Sequence, residues 1–246
     1  RLLLGTADGA TVVWDAQRGQ QVERWEASGA DVRAVAFAPA SPFVLRGTAA
    51  AGGGIGELPG GAPRAELAGA PQRINDLAVL PDGARALAAG GDGSVRLYAV
   101  PGGVELARLP GHDKPVNAVA IAPDGRTAVT GSDDGTARLW DLGTSRELHV
   151  FRGPQHPVRA VAYAPDGGRI VAAAGLDGMA RVWDAATGEE LLALKGPAEM
   201  GGVMWSPSGD SLVTDPWFED PTVVVWDGSD TCKSSRVWLQ NRRCRQ

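Results

Sequence analysis

The sequence is poor in cysteine, histidine and phenylalanine. Its 246 residues include 2 Cys, 3 His and 4 Phe, against 34 Gly and 17 Pro. Cys232 and Cys244 both lie close to the end of the chain, so neither a disulfide framework nor a cysteine metal cluster is expected to hold the fold together. This use of cysteine favours a reducing compartment, and we expect a cytoplasmic location.

Long apolar runs are also lacking. No segment reaches the length needed to cross a membrane, so no membrane association is expected. The opening run Leu2–Leu4 is too short for a signal peptide. Because the chain begins with Arg1, we expect it to be a fragment of a longer protein. The formal net charge of −5 argues against a general nucleic-acid binder.

What the sequence does contain is a repeated unit, clearest in Gly111–Asp141. Two alternating apolar runs, Val116–Ile121 and Thr127–Thr130, are joined by Pro123–Gly125, which has the side-chain chemistry of a tight turn. A second turn and a third run, Thr136–Trp140, follow. The unit therefore predicts at least three consecutive antiparallel strands.

The unit recurs along most of the chain. The prolines that follow its first strand are spaced 42 residues apart, at Pro39, Pro81, Pro123, Pro165 and Pro207. The same rhythm brings a Trp-Asp pair to the end of the third strand, at Trp14-Asp15, Trp140-Asp141, Trp183-Asp184 and Trp226-Asp227. Tyr98-Ala99 and Gly56-Glu57 take the two remaining positions. Glycines in Gly52–Gly56 predict a weak third strand in that unit.

Gly111-His112, Pro123–Gly125 and Trp140-Asp141 together resemble the repeat of the WD-repeat family of β-propellers. The resemblance implies an all-β propeller built from four-stranded antiparallel blades. It also implies a buried hydrogen-bond chain within one blade, formed by His112, Thr130, Asp134 and Trp140. Proteins of this family mostly serve as rigid platforms that hold peptides or other proteins on one face of the ring.

The repeats predict a propeller over residues 1–230 with one partial and five fuller blades. The partial blade covers 1–29, and the others cover about 30–70, 71–111, 112–153, 154–196 and 197–240. The first unit lacks its inner strand, so the chain falls one strand short of six complete blades. We expect an open or loosely closed ring of about six blades, or part of a seven-bladed one, with an edge able to self-associate.

The repeat period also predicts which residues lie on the funnel face. The expected partner-binding positions are Asp31, Arg33, Arg73, Asn75, Asn117, Asp133, Arg159, Leu176 and Glu199. Arginines 33, 73 and 159 would converge on the funnel and favour an acidic or phosphorylated peptide. The alternative is that these arginines are solvated and neutralised by the acidic residues of the same set.

Two aromatic residues, Trp217 and Phe218, lie in an irregular turn of the last unit. They belong either to an insertion packed on its own blade or to an aromatic contact point for a partner. The basic tail 231–246 is expected to form an outer strand or to be disordered. Within it, Val237–Arg245 resembles the core of the homeodomain recognition helix, with Leu239 at the place of an aromatic residue, and the competing interpretation is an outer strand at Arg236–Gln240.

Nothing in the sequence has the arrangement of a catalytic or metal site. His112, His149 and His156 lack metal-ligand spacing, and no serine has a base predicted beside it. No enzyme activity, cofactor or metal is therefore expected. The leading hypothesis is a non-catalytic scaffold that binds a peptide or domain on the funnel face. The alternatives are a nucleic-acid or phosphopeptide module that uses the arginines or the tail, and a regulatory domain of a larger signalling protein.

Overall fold

A computed structural model describes residues 1–25, 29–60, 62–71, 73–152, 156–196, 199–216, 223–227 and 239–240. All regular structure in this part of the chain is β-strand, arranged in six antiparallel sheets of three or four strands. No helix long and apolar enough to cross a membrane occurs among the described residues. The prediction of an all-β propeller with about six blades is confirmed.

The first three sheets follow one another along the chain, and each is an antiparallel meander. Sheet 1 contains β1 (Leu2–Gly5), β2 (Thr11–Asp15) and β3 (Gln20–Trp25). Sheet 2 contains β4 (Val32–Phe37), β5 (Phe43–Thr48), β6 (Gly53–Glu57) and β7 (Ala62–Glu66). Sheet 3 contains β8 (Ile74–Val79), β9 (Arg85–Gly90), β10 (Val95–Ala99) and β11 (Glu105–Leu109).

The last three sheets repeat the same order of strands. Sheet 4 contains β12 (Val116–Ile121), β13 (Thr127–Ser132), β14 (Thr136–Asp141) and β15 (Arg146–Arg152). Sheet 5 contains β16 (Val158–Tyr163), β17 (Arg169–Ala174), β18 (Met179–Asp184) and β19 (Glu190–Lys195). Sheet 6 contains β20 (Met200–Trp205), β21 (Ser211–Pro216), β22 (Val224–Asp227) and β23 (Leu239–Gln240).

The hairpin turns follow from the turn chemistry of the sequence. In sheet 4, Gly125 has a φ of 70°, a left-handed conformation that glycine adopts without the steric cost of a Cβ. The Asp124 side chain accepts a hydrogen bond from the backbone N–H of Arg126 at 2.9 Å, which holds the turn from β12 into β13. This local geometry returns the chain antiparallel to itself.

Consecutive sheets pack through their inner strands, β4 on β8, β8 on β12, β12 on β16 and β16 on β20. Small side chains permit the close approach. A Cβ on Gly131 would lie 2.5 Å from Cγ1 of Val158 in the next sheet, and a Cβ on Gly5 would lie 2.5 Å from Cγ1 of Val32. Gly5 of β1 thus matches Gly131 of the second strand β13.

Sheet 1 therefore begins at its second strand and lacks the inner strand of the other sheets, as the repeats predicted. The ring formed by the described residues is not closed. The free edge of β1 pairs with no described strand, and self-association through it stays a prediction. Leu2 is 51% exposed there, whereas Ala128 at the matching position of sheet 4 is fully buried.

Two segments with unusual sequences also form strands. The glycine-rich β6 pairs along its length with β5 and with β7. Leu239 and Gln240 pair with Asp227 and Trp226 of β22, so these two residues lie in a strand and not in a helix. The remainder of the predicted basic tail lies outside the described residues.

Candidate functional site

The four residues of the hydrogen-bond chain implied by the family resemblance are joined in sheet 4. Nε1 of Trp140 donates to Oγ1 of Thr130 at 2.9 Å. Thr130 Oγ1 lies 2.8 Å from Nε2 of His112, and His112 Nδ1 lies 2.7 Å from Oδ2 of Asp134. Because a hydroxyl has only one proton to donate, the chain is fully satisfied when Thr130 donates to Nε2 and Nδ1–H donates to Asp134.

The surroundings of His112 favour that neutral form. Its side chain is 1% exposed. Burial lowers the pKa of His112 below its usual value, and the hydrogen bond to Asp134 opposes this only in part. Burial acts in the opposite direction on the pKa of Asp134, but hydrogen bonds from Thr136 and His112 outweigh it and lower that pKa. These hydrogen bonds therefore have a structural role: they join β13, β14 and the segment before β12. They present no exposed acid or base.

A polar cluster lies where β13 turns into β14 and where β16 begins. Oδ1 of Asp133 accepts hydrogen bonds from Nδ2 of Asn117 at 2.7 Å and from Nη1 of Arg159 at 2.9 Å. Asn117 Nδ2 also donates to the backbone carbonyl of Val158 at 3.0 Å. The cluster joins sheets 4 and 5 at the predicted funnel face, and it partly neutralises Arg159.

A second polar contact joins sheets 3 and 4 in the same way. Arg73 Nε donates to Oδ1 of Asn75 at 2.7 Å, and Nδ2 of Asn75 donates to the carbonyl of Val116 at 2.8 Å. The amides of Asn75 and Asn117 therefore bridge neighbouring inner strands. Their first role is to hold the sheets in register, and the exposed Arg73 is the member of this pair that a partner could contact.

The remaining predicted positions that the structure describes are exposed. They are Asp31, Arg33, Leu176 and Glu199. Arg73 contacts Asn75 and Arg159 contacts Asp133, whereas the side chain of Arg33 makes no hydrogen bond or ion pair with the described residues. Leu176 is 58% exposed on the turn before β18. The structure thus pairs Arg159 with an acidic residue of the set, as in the neutralised alternative, but shows no such pair for Arg33 within its described part. Trp217 and Phe218 lie outside the described residues.

Sequence reasoning missed Asp76, which lies among the inner strands. Its Oδ2 accepts a hydrogen bond from the backbone N–H of Val119 in the next sheet at 2.9 Å. Burial raises the pKa of Asp76 to about 6. The repeat alignment could have singled out Asp76, because the residues at the same position of the neighbouring inner strands are Ala34 and Ala118. The ionisable group in place of alanine thus forms a hydrogen bond between two neighbouring blades.

The described residues contain no cluster of His, Cys, Asp or Glu able to hold a metal ion.

A comparison with known protein families supports the β-propeller architecture. Residues 61–99, 103–141 and 145–184 each match the family model of the WD domain, G-beta repeat. No curated protein matches the chain. The fold is that of a β-propeller. With its three tandem matches, the chain belongs to the WD-repeat family, whose members are typically non-catalytic and generally mediate protein–protein interaction.

Proposed function

We propose that this protein is an interaction scaffold that binds a partner peptide or domain on the funnel face. The observation that supports the proposal most is the exposure of Leu176 next to Arg159. A Cβ on Gly175 would lie 3.1 Å from Cγ of Arg159, so the arginine stem packs beside the backbone that presents Leu176. An exposed apolar side chain bordered by charges is typical of a protein-binding surface.

The cations of this face support a preference for acidic or phosphorylated segments. Arg33 and Arg73 are exposed, while Arg159 already contacts Asp133 at 2.9 Å. Guanidinium groups bind carboxylates and phosphates through paired, charge-assisted hydrogen bonds. Arg33 and Arg73 therefore carry the proposed charge recognition, and Leu176 carries the apolar contact.

The test is affinity capture from a cell lysate with the wild-type chain and two variants, Arg33→Glu/Arg73→Glu and Leu176→Asp. Arg126→Glu is the matched control, because its side chain is 84% exposed in the turn between β12 and β13, at the opposite end of the strands. We expect both funnel-face variants to lose the specific partners that Arg126→Glu retains. Retention of every partner by both variants would contradict the proposal. Phosphatase treatment of the lysate separates phosphorylated from acidic ligands.

A further inference from the structure

The first strand of sheet 1 has a free edge of regular geometry. β1 pairs with β2 residue by residue from Leu2 to Gly5, without a register shift. The other edge strands of the described sheets differ from it. Apart from the two-residue β23, each of them pairs with its neighbour through a register shift. Bulges protect sheet edges against pairing with further strands, and β1 lacks this protection.

The backbone groups on the free edge follow from the hairpin after β1. The N–H of Thr6 donates to the carbonyl of Ala10 at 3.0 Å, so Thr6 bonds toward β2. The hydrogen-bonding groups of successive residues point alternately to the two sides of a strand. Leu4 therefore also bonds toward β2, whereas the N–H and C=O groups of Leu3 and Gly5 point to the free edge. An added strand can pair with both residues.

The space along this edge corresponds to the inner strand of the other sheets. Val35 of β4 is half-buried and Phe37 is 37% exposed. At the position of Val35, sheet 5 has Val161, which is 8% exposed. Val161 packs in one cluster with Ala118 and Ala120 from the inner strand of the preceding sheet. The flank of β4 thus lacks the cover that an inner strand of sheet 1 would give.

The position of β4 limits what can occupy this space. β1 packs against β4, and a Cβ on Gly5 would lie 2.5 Å from Cγ1 of Val32. The free edge of β1 therefore opens toward the inner strands of the ring. Neighbouring strands of a sheet lie about 4.8 Å apart, so one extended segment fits beside β1. The whole sheet of a second copy would overlap the inner strands, which favours a single segment as the occupant.

We propose that β1 binds an extended segment of a partner protein, which adds to sheet 1 as an antiparallel inner strand. In this mode of recognition, main-chain hydrogen bonds supply affinity and alternate side chains supply specificity. The hydrogen bonds come from Leu3 and Gly5, and the alternate side chains of the segment contact Val35 and Phe37. The site uses none of the residues of the proposed funnel-face site, so neither proposal depends on the other.

The matching strand of sheet 4 indicates the chemistry of the segment. Ala118 and Ala120 of β12 lie opposite Gly131 and Val129 of β13, which correspond to Gly5 and Leu3 of β1. The segment therefore has small residues at two alternate positions, where they face β4.

The residues between these positions lie on the other face of the sheet. Leu2 and Leu4 are on that face and are 51% and 48% exposed. Larger apolar residues of the segment would cover them. The partner segment is thus an extended run in which small and larger apolar residues alternate.

The test is a fluorescence anisotropy titration of the purified chain with a fluorescein-labelled peptide of residues 112–126, which contains β12. We expect saturable binding. The same peptide, N-methylated at Ala118 and Ala120, keeps every side chain but loses the N–H groups that would bond to β1. We expect it to bind about ten-fold more weakly or less. Equal affinity of the two peptides, or no saturable binding of the first, would overturn the proposal.

Two variants of the chain place the peptide at β1. Leu3→Pro removes an edge N–H without touching the bonds to β2 and should weaken binding about ten-fold or more. Phe37→Asp puts a charge beside the added strand and should weaken binding to a similar extent. Leu106→Pro and Leu106→Asp are the matched controls, because Leu106 is 52% exposed at the register shift of the edge strand β11. If either Leu3→Pro or Phe37→Asp folds and binds the peptide as tightly as the wild type, the proposal is wrong.

Two further measurements separate the other possible sites and occupants. Light scattering of the chain without peptide reports its molar mass. Dimers that disappear in Leu3→Pro would assign the edge to a second copy and contradict the proposal. The funnel-face variant Leu176→Asp should bind the peptide as tightly as the wild type. Loss of binding in that variant would place the peptide on the funnel face and not at β1.

Discussion

The indole of Trp25 occupies space next to Gly56, at the position where the neighbouring repeats place their own aromatic residue. Gly56 pairs with Val44 in the register in which Trp183 pairs with Ile170. Trp25 pairs with Thr11 as Phe151 pairs with Ala137. In the ordinary arrangement, Phe151 packs on Trp183 with ring centroids 5.0 Å apart. Between sheets 1 and 2, one large aromatic residue and a glycine replace that pair.

This relationship predicts a compensating pair of substitutions. Gly56→Trp alone should destabilise the protein by about 1–3 kcal/mol, because a Cβ at this position already approaches the Trp25 ring. The double variant Trp25→Phe/Gly56→Trp recreates the pair found at Phe151 and Trp183 and should be more stable than Gly56→Trp alone. The free energy of unfolding in urea, measured for both single variants and the double variant, gives the coupling energy. Simple additivity would contradict the prediction.

The pair also shows where prediction from the sequence ends. The 42-residue period fixes the register within a blade, so the strands, the Trp-Asp positions and the members of the His112 chain could be placed from the sequence. The period contains no information on which side chain fills space between two blades. The sequence therefore predicted that Gly56 weakens its own strand, whereas in the structure the ring of Trp25 from the preceding sheet packs on this glycine.

The same limit applies to charges on the funnel face. Repeat positions could identify Asp133 and Arg159 as face residues, but their ion pair at 2.9 Å joins two different sheets. The backbone contact of Asp76 with Val119 likewise crosses from one sheet to the next. Such contacts depend on the angle and separation of whole sheets, which a pattern within each repeat does not determine.

The hydroxyl of Thr130 is the centre of the hydrogen-bond chain in sheet 4. Thr130→Val removes it without changing the shape of the side chain and leaves both Trp140 Nε1 and His112 Nε2 unpaired. Each buried group left unpaired costs about 1–3 kcal/mol, so for the two groups together we expect a loss of about 2–6 kcal/mol in urea unfolding.

Thr214→Val in sheet 6 is the matched control for this loss. Oγ1 of Thr214 accepts only from Trp226 Nε1, at 3.1 Å, in the described part of the chain. It should therefore cost about half as much as Thr130→Val if the effects of unpaired groups add. An equal loss of unfolding free energy in both variants would show that the hydrogen bond between Thr130 and His112 does not contribute to stability.

His112 should make stability depend on pH near neutrality. Its pKa is lower in the folded protein than the ordinary value of 6.5, so the unfolded chain binds the proton more tightly. The contribution is full above about pH 6.5 and is lost as the pH falls through that value towards the folded pKa. His112→Asn should flatten the slope of unfolding free energy between about pH 7.5 and 5.5.

His149→Asn, on the outer strand β15, is the control for the pH dependence of His112→Asn, because it also replaces a histidine by asparagine. Both variants are measured by urea unfolding at several pH values in one buffer series. A slope that persists unchanged in His112→Asn would exclude this residue as its source.

Asp76 should have the opposite effect on the pH dependence. Burial raises its pKa from 3.8 to about 6, so the folded protein binds this proton more tightly than the unfolded chain. Its contribution to stability is full below about pH 3.8 and is lost as the pH rises to about 6. Above that pH the charged carboxylate between β8 and β12 costs on the order of 1–3 kcal/mol.

Asp76→Asn removes the charge but keeps an oxygen that can accept the N–H of Val119. We therefore expect this variant to be more stable than the wild type at pH 7.5 by about 1–3 kcal/mol and to lose the corresponding slope between about pH 4 and 6. Asp113→Asn, at an exposed position, controls for a change in net charge. A variant less stable than the wild type at pH 7.5 would mean that the carboxylate binds the Val119 N–H more strongly than its burial opposes, because charge-assisted hydrogen bonds are stronger than neutral ones.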